Sequence, residues 1–134
     1  MNTIITGATK GIGRSLTELL LKKGHNVFIC ARNERDLSDM EETLNNLNPK
    51  ARLFTMPCDV SQRDQVEAFA DFCLSQVEHF DVLINNAGVF IPGRLHDEPE
   101  GRMETMMATN LFSAYYLSRR IIPGMKSKRT GHVI

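Results

Sequence analysis

The sequence predicts a doubly wound α/β fold built on a parallel sheet, and two observations predict it. Short apolar runs alternate with longer amphipathic segments along all 134 residues. That alternation of short apolar strands with helices argues for a parallel sheet covered on both faces. A glycine cluster, Gly7, Gly11 and Gly13, stands where the first apolar run gives way to the first helical pattern. Together these describe one Rossmann-type dinucleotide-binding domain over residues 1–134. The expected sheet is truncated in its fifth strand, so the domain is read as incomplete at the C-terminus.

Each element has its own signal. Asn2 to Thr6 is a β-branched run that meets Gly7, a strand followed by a tight turn. Ile12, Leu16, Leu19 and Leu20 fall at i, i+4, i+7 and i+8 and predict one helix face between about Ile12 and Lys23, with Gly24 as the stop. Val27 to Ala31 predicts a buried strand. Leu37, Met40, Leu44 and Leu47 predict a second helix, ended by Asn48-Pro49. Arg52 to Pro57 predicts a third strand. Ser61 with Asp64 resembles a capping box opening a helix with Val66, Phe69, Ala70, Cys73 and Val77 on one face. Val82 to Ile84 predicts a fourth strand, followed by Asn85-Asn86-Ala87-Gly88. A long helical region covers roughly Glu98 to Met125, and Pro123-Gly124 is expected to weaken its end. Gly131 to Ile134 predicts the first half of a fifth strand. The chain stops inside that apolar run, which gives it the look of a cut rather than a finished domain.

Composition narrows the function classes. Sixteen basic residues balance sixteen acidic ones, so there is no global reason to expect a nucleic-acid or membrane partner. The first apolar run leads straight into the glycine cluster, so no leader pattern fits and a cytoplasmic protein is expected. Cys30, Cys58 and Cys73 form no CxxC pair and lie near no histidine cluster. They are expected to be free, reduced thiols, with no metal site.

The chemistry concentrates in two places. The first is Thr6-Gly7-Ala8-Thr9-Lys10-Gly11-Ile12-Gly13. Gly7 is expected to permit a sharp turn, Gly11 to let phosphates approach the backbone, and Gly13 to let the helix pack close to the strand. The helix N-terminus then offers free N–H groups and a positive dipole end. The spacing Gly-x3-Gly-x-Gly differs from the usual G-x-G-x-x-G fingerprint, and a glycine-rich strand-to-helix turn also serves purely structural ends. The second place is the end of the second strand, where a dinucleotide site reads the adenosine ribose about 20 residues beyond the loop. Arg32 lies 19 residues after Gly13, and Cys30 to Asn33 contains no acid. An arginine there suits a 2′-phosphate through its planar donor fork, with Lys10 adding charge; a solvated strand end and a bystander lysine are the plain alternatives.

Taken together, Thr6-Gly7-x3-Gly11-Ile12-Gly13, Asp59-Val60, Asn85-Asn86-Ala87-Gly88 and Asn110 within Ala108-Thr109-Asn110-Leu111-Phe112 resemble the classical short-chain dehydrogenase/reductase family. The resemblance covers the whole chain in the right order. It implies an oxidoreductase that moves a hydride between a nicotinamide cofactor and a small carbonyl or alcohol substrate. NADP(H) is expected as the preferred cofactor on the strength of Arg32 and Lys10, with NAD(H) possible. The resemblance further implies that Asp59 hydrogen-bonds the adenine amino group and the Val60 backbone the ring. Asn86, Ala87 and Gly88 would line the adenosine side and support the central strand. Asn110 would belong to a catalytic Asn-Ser-Tyr-Lys set, on a locally distorted helix; without that frame it is a polar residue in a helix interior. The family's Tyr-x-x-x-Lys is absent: the only tyrosines are Tyr115 and Tyr116, followed four residues on by Arg119 and Arg120. The expectation is therefore an N-terminal cofactor half without activity of its own. A non-catalytic nucleotide-binding module or regulatory relative is the alternative. The long helix around Met106 to Ile122 is apolar on more than one face, and in the family such a helix commonly pairs with a second copy, so a homo-oligomer is expected.

Overall fold

The computed structural model describes residues 1–134. Five strands, β1 (Asn2–Thr6), β2 (Asn26–Ala31), β3 (Leu53–Pro57), β4 (Val82–Ile84) and β5 (His132–Val133), form one sheet in the order β3-β2-β1-β4-β5. All four pairings are parallel. The chain builds outward from β1 through β2 to β3, then crosses back to place β4 on the other side of β1. That reversal leaves a crevice between β1 and β4 at their C-terminal ends, where open α/β sheets bind ligands.

The pleat sorts the strand residues onto two faces. Ile4, Phe28, Cys30 and Leu83 point into one core, which is closed by α3 (Arg63–Gln76) through Val66, Phe69, Ala70 and Cys73. The same core takes Leu117, Ile121 and Met125 from α5 (Ser113–Lys128). Ile5, Val27, Ile29 and Leu53 point into the other, closed by Leu21 of α1 (Gly11–Lys22) and by Leu37, Met40 and Leu44 of α2 (Glu34–Leu44). Phe28 anchors the first core by stacking on Phe54 and meeting Phe80 edge-on. The strands thus carry continuous apolar runs because both faces are covered.

Four expectations need correction. The buried face of α1 is only half the expected stripe: Leu16 and Leu20 pack half-buried against the core, Ile12 (74% exposed) and Leu19 do not, and the fully buried residues are Gly13, Thr17 and Leu21. Thr17 fits because its hydroxyl donates to the Gly13 carbonyl at 2.8 Å and leaves no orphan group. Second, α2 and α3 end before Leu47 and Val77. Third, Ser61 and Asp64 form no capping box. The Ser61 backbone N–H and hydroxyl both donate to Asp59 Oδ1, at 3.0 and 2.8 Å, and the first helical turn of α3 has no side-chain cap. Fourth, the helix extends three residues past the expected end at Met125, with no break at Pro123-Gly124. α5 runs through the proline to Lys128 and closes on Arg129 in the left-handed region. Leu117, Ile121 and Met125 bury one stripe across the proline, and that packing outweighs the single missing N–H.

The pairing of β5 continues to the end of the chain: Ile134 N–H donates to the Leu83 carbonyl at 2.9 Å and the Ile134 carbonyl accepts from Asn85 N–H at 2.8 Å. No helix is long and apolar enough to cross a membrane.

Candidate functional site

Each loop that leaves the C-terminal edge of the sheet brings residues to one cavity of about 720 Å³. From the glycine cluster come Gly7, Thr9, Lys10 and Ile12; from the end of β2, Arg32; from the end of β3, Asp59 and Val60; from the end of β4, Asn86, Ala87 and Gly88. Ten residues singled out in the sequence therefore meet in one place although they come from four separate loops.

Thr6, Gly11 and Gly13, also singled out in the sequence, do not line that cavity. Gly7 adopts φ +64°, and a Cβ there would stand 2.8 Å from the Ala87 Cα, so both the turn and the close approach of the β4 loop require glycine. Gly13 has the tightest surroundings: a Cβ would lie 2.6 Å from Asn86 Nδ2, 2.8 Å from the Gly7 carbonyl oxygen and 2.9 Å from the Ala8 Cα. The expected close approach of helix to strand is thus an approach of helix to the two loops. Gly11 is also left-handed, with open space above it. The N-terminus of α1 carries no side-chain cap and no acid in its first turn. Its first N–H groups and positive dipole end are left for an anion.

Two side chains clamp the loops together. The Thr6 hydroxyl oxygen accepts from Asn86 N–H at 3.1 Å and Ala87 N–H at 3.0 Å. The Asn86 amide donates to the carbonyls of Thr6 and Gly7 at 3.0 and 2.9 Å. Asn110 makes a second clamp. Its Oδ1 accepts from Val89 N–H at 2.7 Å and its Nδ2 donates to the Val89 carbonyl at 2.8 Å. This reciprocal pair fixes the segment after Gly88 against the helix. Asn110 lies in a π-helical turn, Ala108–Phe112, between α4 (Arg102–Met107) and α5. The expected local distortion is therefore present, and such wide turns concentrate at functional sites. Asn110 does not itself line the cavity; Thr105 and Thr109 do.

The charge around Lys10 and Arg32 differs from the sequence expectation in one respect. Lys10 is not free: its ammonium lies 3.5 Å from Asp36 Oδ2. Arg32 belongs to none of the salt bridges. Asp59 keeps one carboxylate oxygen busy with Ser61, and its backbone N–H donates to Gln65 Oε1 at 2.7 Å. Cys30 and Cys58 form part of the wall as free thiols. Its hydrogen bond with Cys58 and its full burial push the Cys30 thiol well above the ordinary range, so it is an inert part of that wall.

Sequence reasoning missed Asn33, Asp36, Ser61, Thr105 and Thr109 as wall residues. Asn33 had a usable signal, a capping residue ahead of a helical pattern; its Oδ1 accepts from Arg35 and Asp36 N–H at 2.9 and 3.3 Å. Asp36 had none. Tyr115 and Tyr116 lie outside the cavity wall: Arg119 sits over the Tyr115 ring and Arg63 over that of Tyr116.

Comparison with known proteins gives a consistent picture. A family model described as short chain dehydrogenase matches residues 1–134. The chain is 32% identical over 135 residues to dehydrogenase/reductase SDR family member 7B of Xenopus laevis, covering 98% of this chain and 42% of that protein. It is 29% identical over 135 residues to an NADP-dependent 3-hydroxy acid dehydrogenase of Escherichia coli, covering 100% of this chain and 52% of the other. Among solved structures, a metagenomic short-chain oxidoreductase in complex with NADP superposes with a TM-score of 0.92 at 31% identity, over 99% of this chain and 60% of that one. The chain thus spans about half the length of the curated relatives it matches.

Proposed function

The chain belongs to the short chain dehydrogenase family, and from that premise we propose that it is the cofactor-binding part of an oxidoreductase transferring a hydride between NADP(H) and a small carbonyl or alcohol. One observation carries the proposal: the uncapped N-terminus of α1, Arg32, Asp59 and the Asn86–Gly88 loop converge on a single cavity at the β1–β4 crevice. The residues fit a dinucleotide. The amides of the glycine turn would hold the pyrophosphate, Arg32 a 2′-phosphate, and Asp59 with Val60 the adenine. The nicotinamide, when bound, supplies the hydride chemistry. Asn110 acts as a positioning residue, because its side chain braces Val89 at the cavity wall.

Arg32 makes the cofactor preference testable. A charge-assisted, bidentate phosphate contact contributes about 1.5–3 kcal/mol. Arg32→Asp is therefore expected to weaken NADPH binding roughly ten- to a hundredfold while leaving NADH nearly unchanged. Fluorescence titration of both cofactors measures this. A wild type that prefers NADH, or a variant that keeps the NADPH preference, removes Arg32 from the site.

The same reading predicts that these 134 residues by themselves reduce no carbonyl. The forming alkoxide needs a proton from a positioned acid, a contribution of about 10²–10⁴-fold, and no Tyr-x-x-x-Lys is present. An arginine four residues after a tyrosine cannot take the lysine's part, because it does not release its proton. An NADPH-oxidation assay over a panel of carbonyls decides. Turnover that disappears in Tyr115→Phe or Tyr116→Phe would place the catalytic centre elsewhere. A second reading, a nucleotide-binding module without catalysis, predicts binding and no turnover in every form of the protein.

A cytoplasmic location and assembly with a second copy complete the proposal. Leu111, Phe112, Tyr115 and Ile122 are exposed along the outer side of the π-turn and α5, while Leu117, Ile121 and Met125 face inward. An apolar stripe of that kind suits a matching helix.

A further inference from the structure

The corner that holds Arg32 also holds an acid. Asp36 lies in the first turn of α2, one residue short of the buried Leu37, and lines the same cavity as Arg32 and Lys10. Its position is set from two sides. Asn33 caps α2 by accepting from the Asp36 backbone N–H, and Leu37 anchors the turn in the core. The carboxylate then meets Lys10, which sits at the N-cap position of α1 with a side chain 83% exposed. Nothing else restrains that side chain: the Asp36 pair is its one salt bridge.

We infer that Asp36 is a specificity-determining residue, an acid that weakens the hold of the Lys10 and Arg32 corner on a ligand's 2′-phosphate. The inference rests on the nucleotide reading given above. Lys10 and Arg32 line this cavity together with Asp36 and Asp59, and the Asp36 pair answers one of the two positive charges before any ligand arrives. A 2′-phosphate carries up to two negative charges. It meets the attraction of Arg32, a lysine it must share, and the direct repulsion of a carboxylate. An opposing effect exists, since Asp36 also orients Lys10. An ion pair this exposed orients a long side chain only weakly, so the repulsion dominates. The result is a site that accepts the 2′-phosphate without holding it as tightly as its two basic residues allow, which keeps a dinucleotide lacking that phosphate within reach.

The test uses two probes that differ only at the ribose. Adenosine 2′,5′-bisphosphate and adenosine 5′-monophosphate share the base, the ribose and the 5′-phosphate. Both are titrated calorimetrically into the 134-residue chain, wild type and Asp36→Asn. Asparagine keeps the side-chain shape and removes the charge. Wild type is expected to favour the bisphosphate. Asp36→Asn is expected to raise that preference about three- to tenfold, by tightening the bisphosphate and leaving the monophosphate within about twofold. The gain is expected to shrink in about 1 M salt, where the screening length falls to roughly 3 Å. Adding Lys10→Gln to Asp36→Asn is expected to lower the bisphosphate preference without abolishing the gain over Lys10→Gln alone, because the repulsion lost with Asp36 does not depend on Lys10. The unchanged monophosphate affinity shows that the variant is folded. A preference that stays the same or falls in Asp36→Asn, with wild type still favouring the bisphosphate, would overturn the role of Asp36 alone. A wild type that binds neither probe overturns the nucleotide reading and this inference with it.

Discussion

Gly13→Val is expected to lower the melting temperature of the cofactor-free chain by about 10 °C. The reason lies in three contacts that a Cβ would make at once, with Asn86 Nδ2 at 2.6 Å, the Gly7 carbonyl oxygen at 2.8 Å and the Ala8 Cα at 2.9 Å. Two of the three are backbone atoms, which cannot swing aside. The third is the amide that holds the β1 and β4 loops together. Overpacking of a dense site costs about 1–3 kcal/mol and more where the backbone must shift. About 3 kcal/mol in a domain of this size corresponds to roughly that change in melting temperature. Neighbouring positions give the contrast that makes the claim specific. Gly11 is left-handed with no atom within 4 Å of its Cβ position, so Gly11→Ala is expected to lose only the conformational strain, about 1–2 kcal/mol. Gly13→Ala already carries the offending Cβ and is expected to fall well below Gly11→Ala. Thermal unfolding of the three variants ranks them. A Gly13→Val melting temperature equal to wild type would mean that α1 stands further from the loops than these distances say.

This glycine also marks the boundary between what the sequence makes visible and what it hides. Strands were legible because a covered parallel strand is an uninterrupted apolar run; β4 was read as Val82 to Ile84 and is Val82–Ile84. The chemistry of the turns was legible because each motif is local, and the loops of one sheet edge must converge once the strands are parallel and the order reverses at β1. The face of α1 was misread because counting apolar residues ignores small ones. A helix that meets the loops at Gly13 and also buries Thr17 turns small residues inward beside Leu16, Leu20 and Leu21, and leaves Ile12 and Leu19 outside. The weakening expected at Pro123-Gly124 is a local propensity, and the tertiary stripe of Leu117, Ile121 and Met125 carries the helix past it to Lys128. The clamps lay beyond reach for the same reason. Thr6 to Asn86 spans 80 residues and Asn110 to Val89 spans 21, and nothing in a single sequence announces which distant polar group will satisfy which. The Lys10–Asp36 pair belongs with them: a lysine in a loop looks free until the fold supplies its partner.

Asn86→Asp is expected to be more damaging than Asn86→Ala, which is the reverse of what side-chain volume alone predicts. In the wild type the amide of Asn86 is a double donor, to the Thr6 carbonyl at 3.0 Å and the Gly7 carbonyl at 2.9 Å. Alanine removes both bonds, at about 0.5–1.5 kcal/mol each, and leaves two carbonyls that water can reach beside a half-buried loop. An ionised carboxylate in the same place offers only acceptors. It faces two carbonyl oxygens at hydrogen-bond distance and cannot leave easily, because the Asn86 and Ala87 backbone N–H groups remain tied to the Thr6 hydroxyl. The loss is expected to reach about 3–5 kcal/mol at neutral pH, as for other charges left without a partner in a protected site. The pH dependence separates this mechanism from simple loss of packing. Two carbonyl oxygens favour the protonated carboxyl, which can donate one hydrogen bond, so the introduced group has a higher pKa in the folded chain than the unfolded value of about 3.9. A group with a raised folded pKa contributes its stability below the unfolded pKa and loses it as pH rises through the folded one. The gap between Asn86→Asp and Asn86→Ala should therefore be widest near pH 8, narrow at about 1.4 kcal/mol per unit below the folded pKa, and close towards pH 4. Urea unfolding of wild type and both variants at pH 8, 6 and 5 measures it. Equal stabilities of the two variants at pH 8, or a gap that does not move with pH, would show that the Asn86 amide does not hold the two loops by donation.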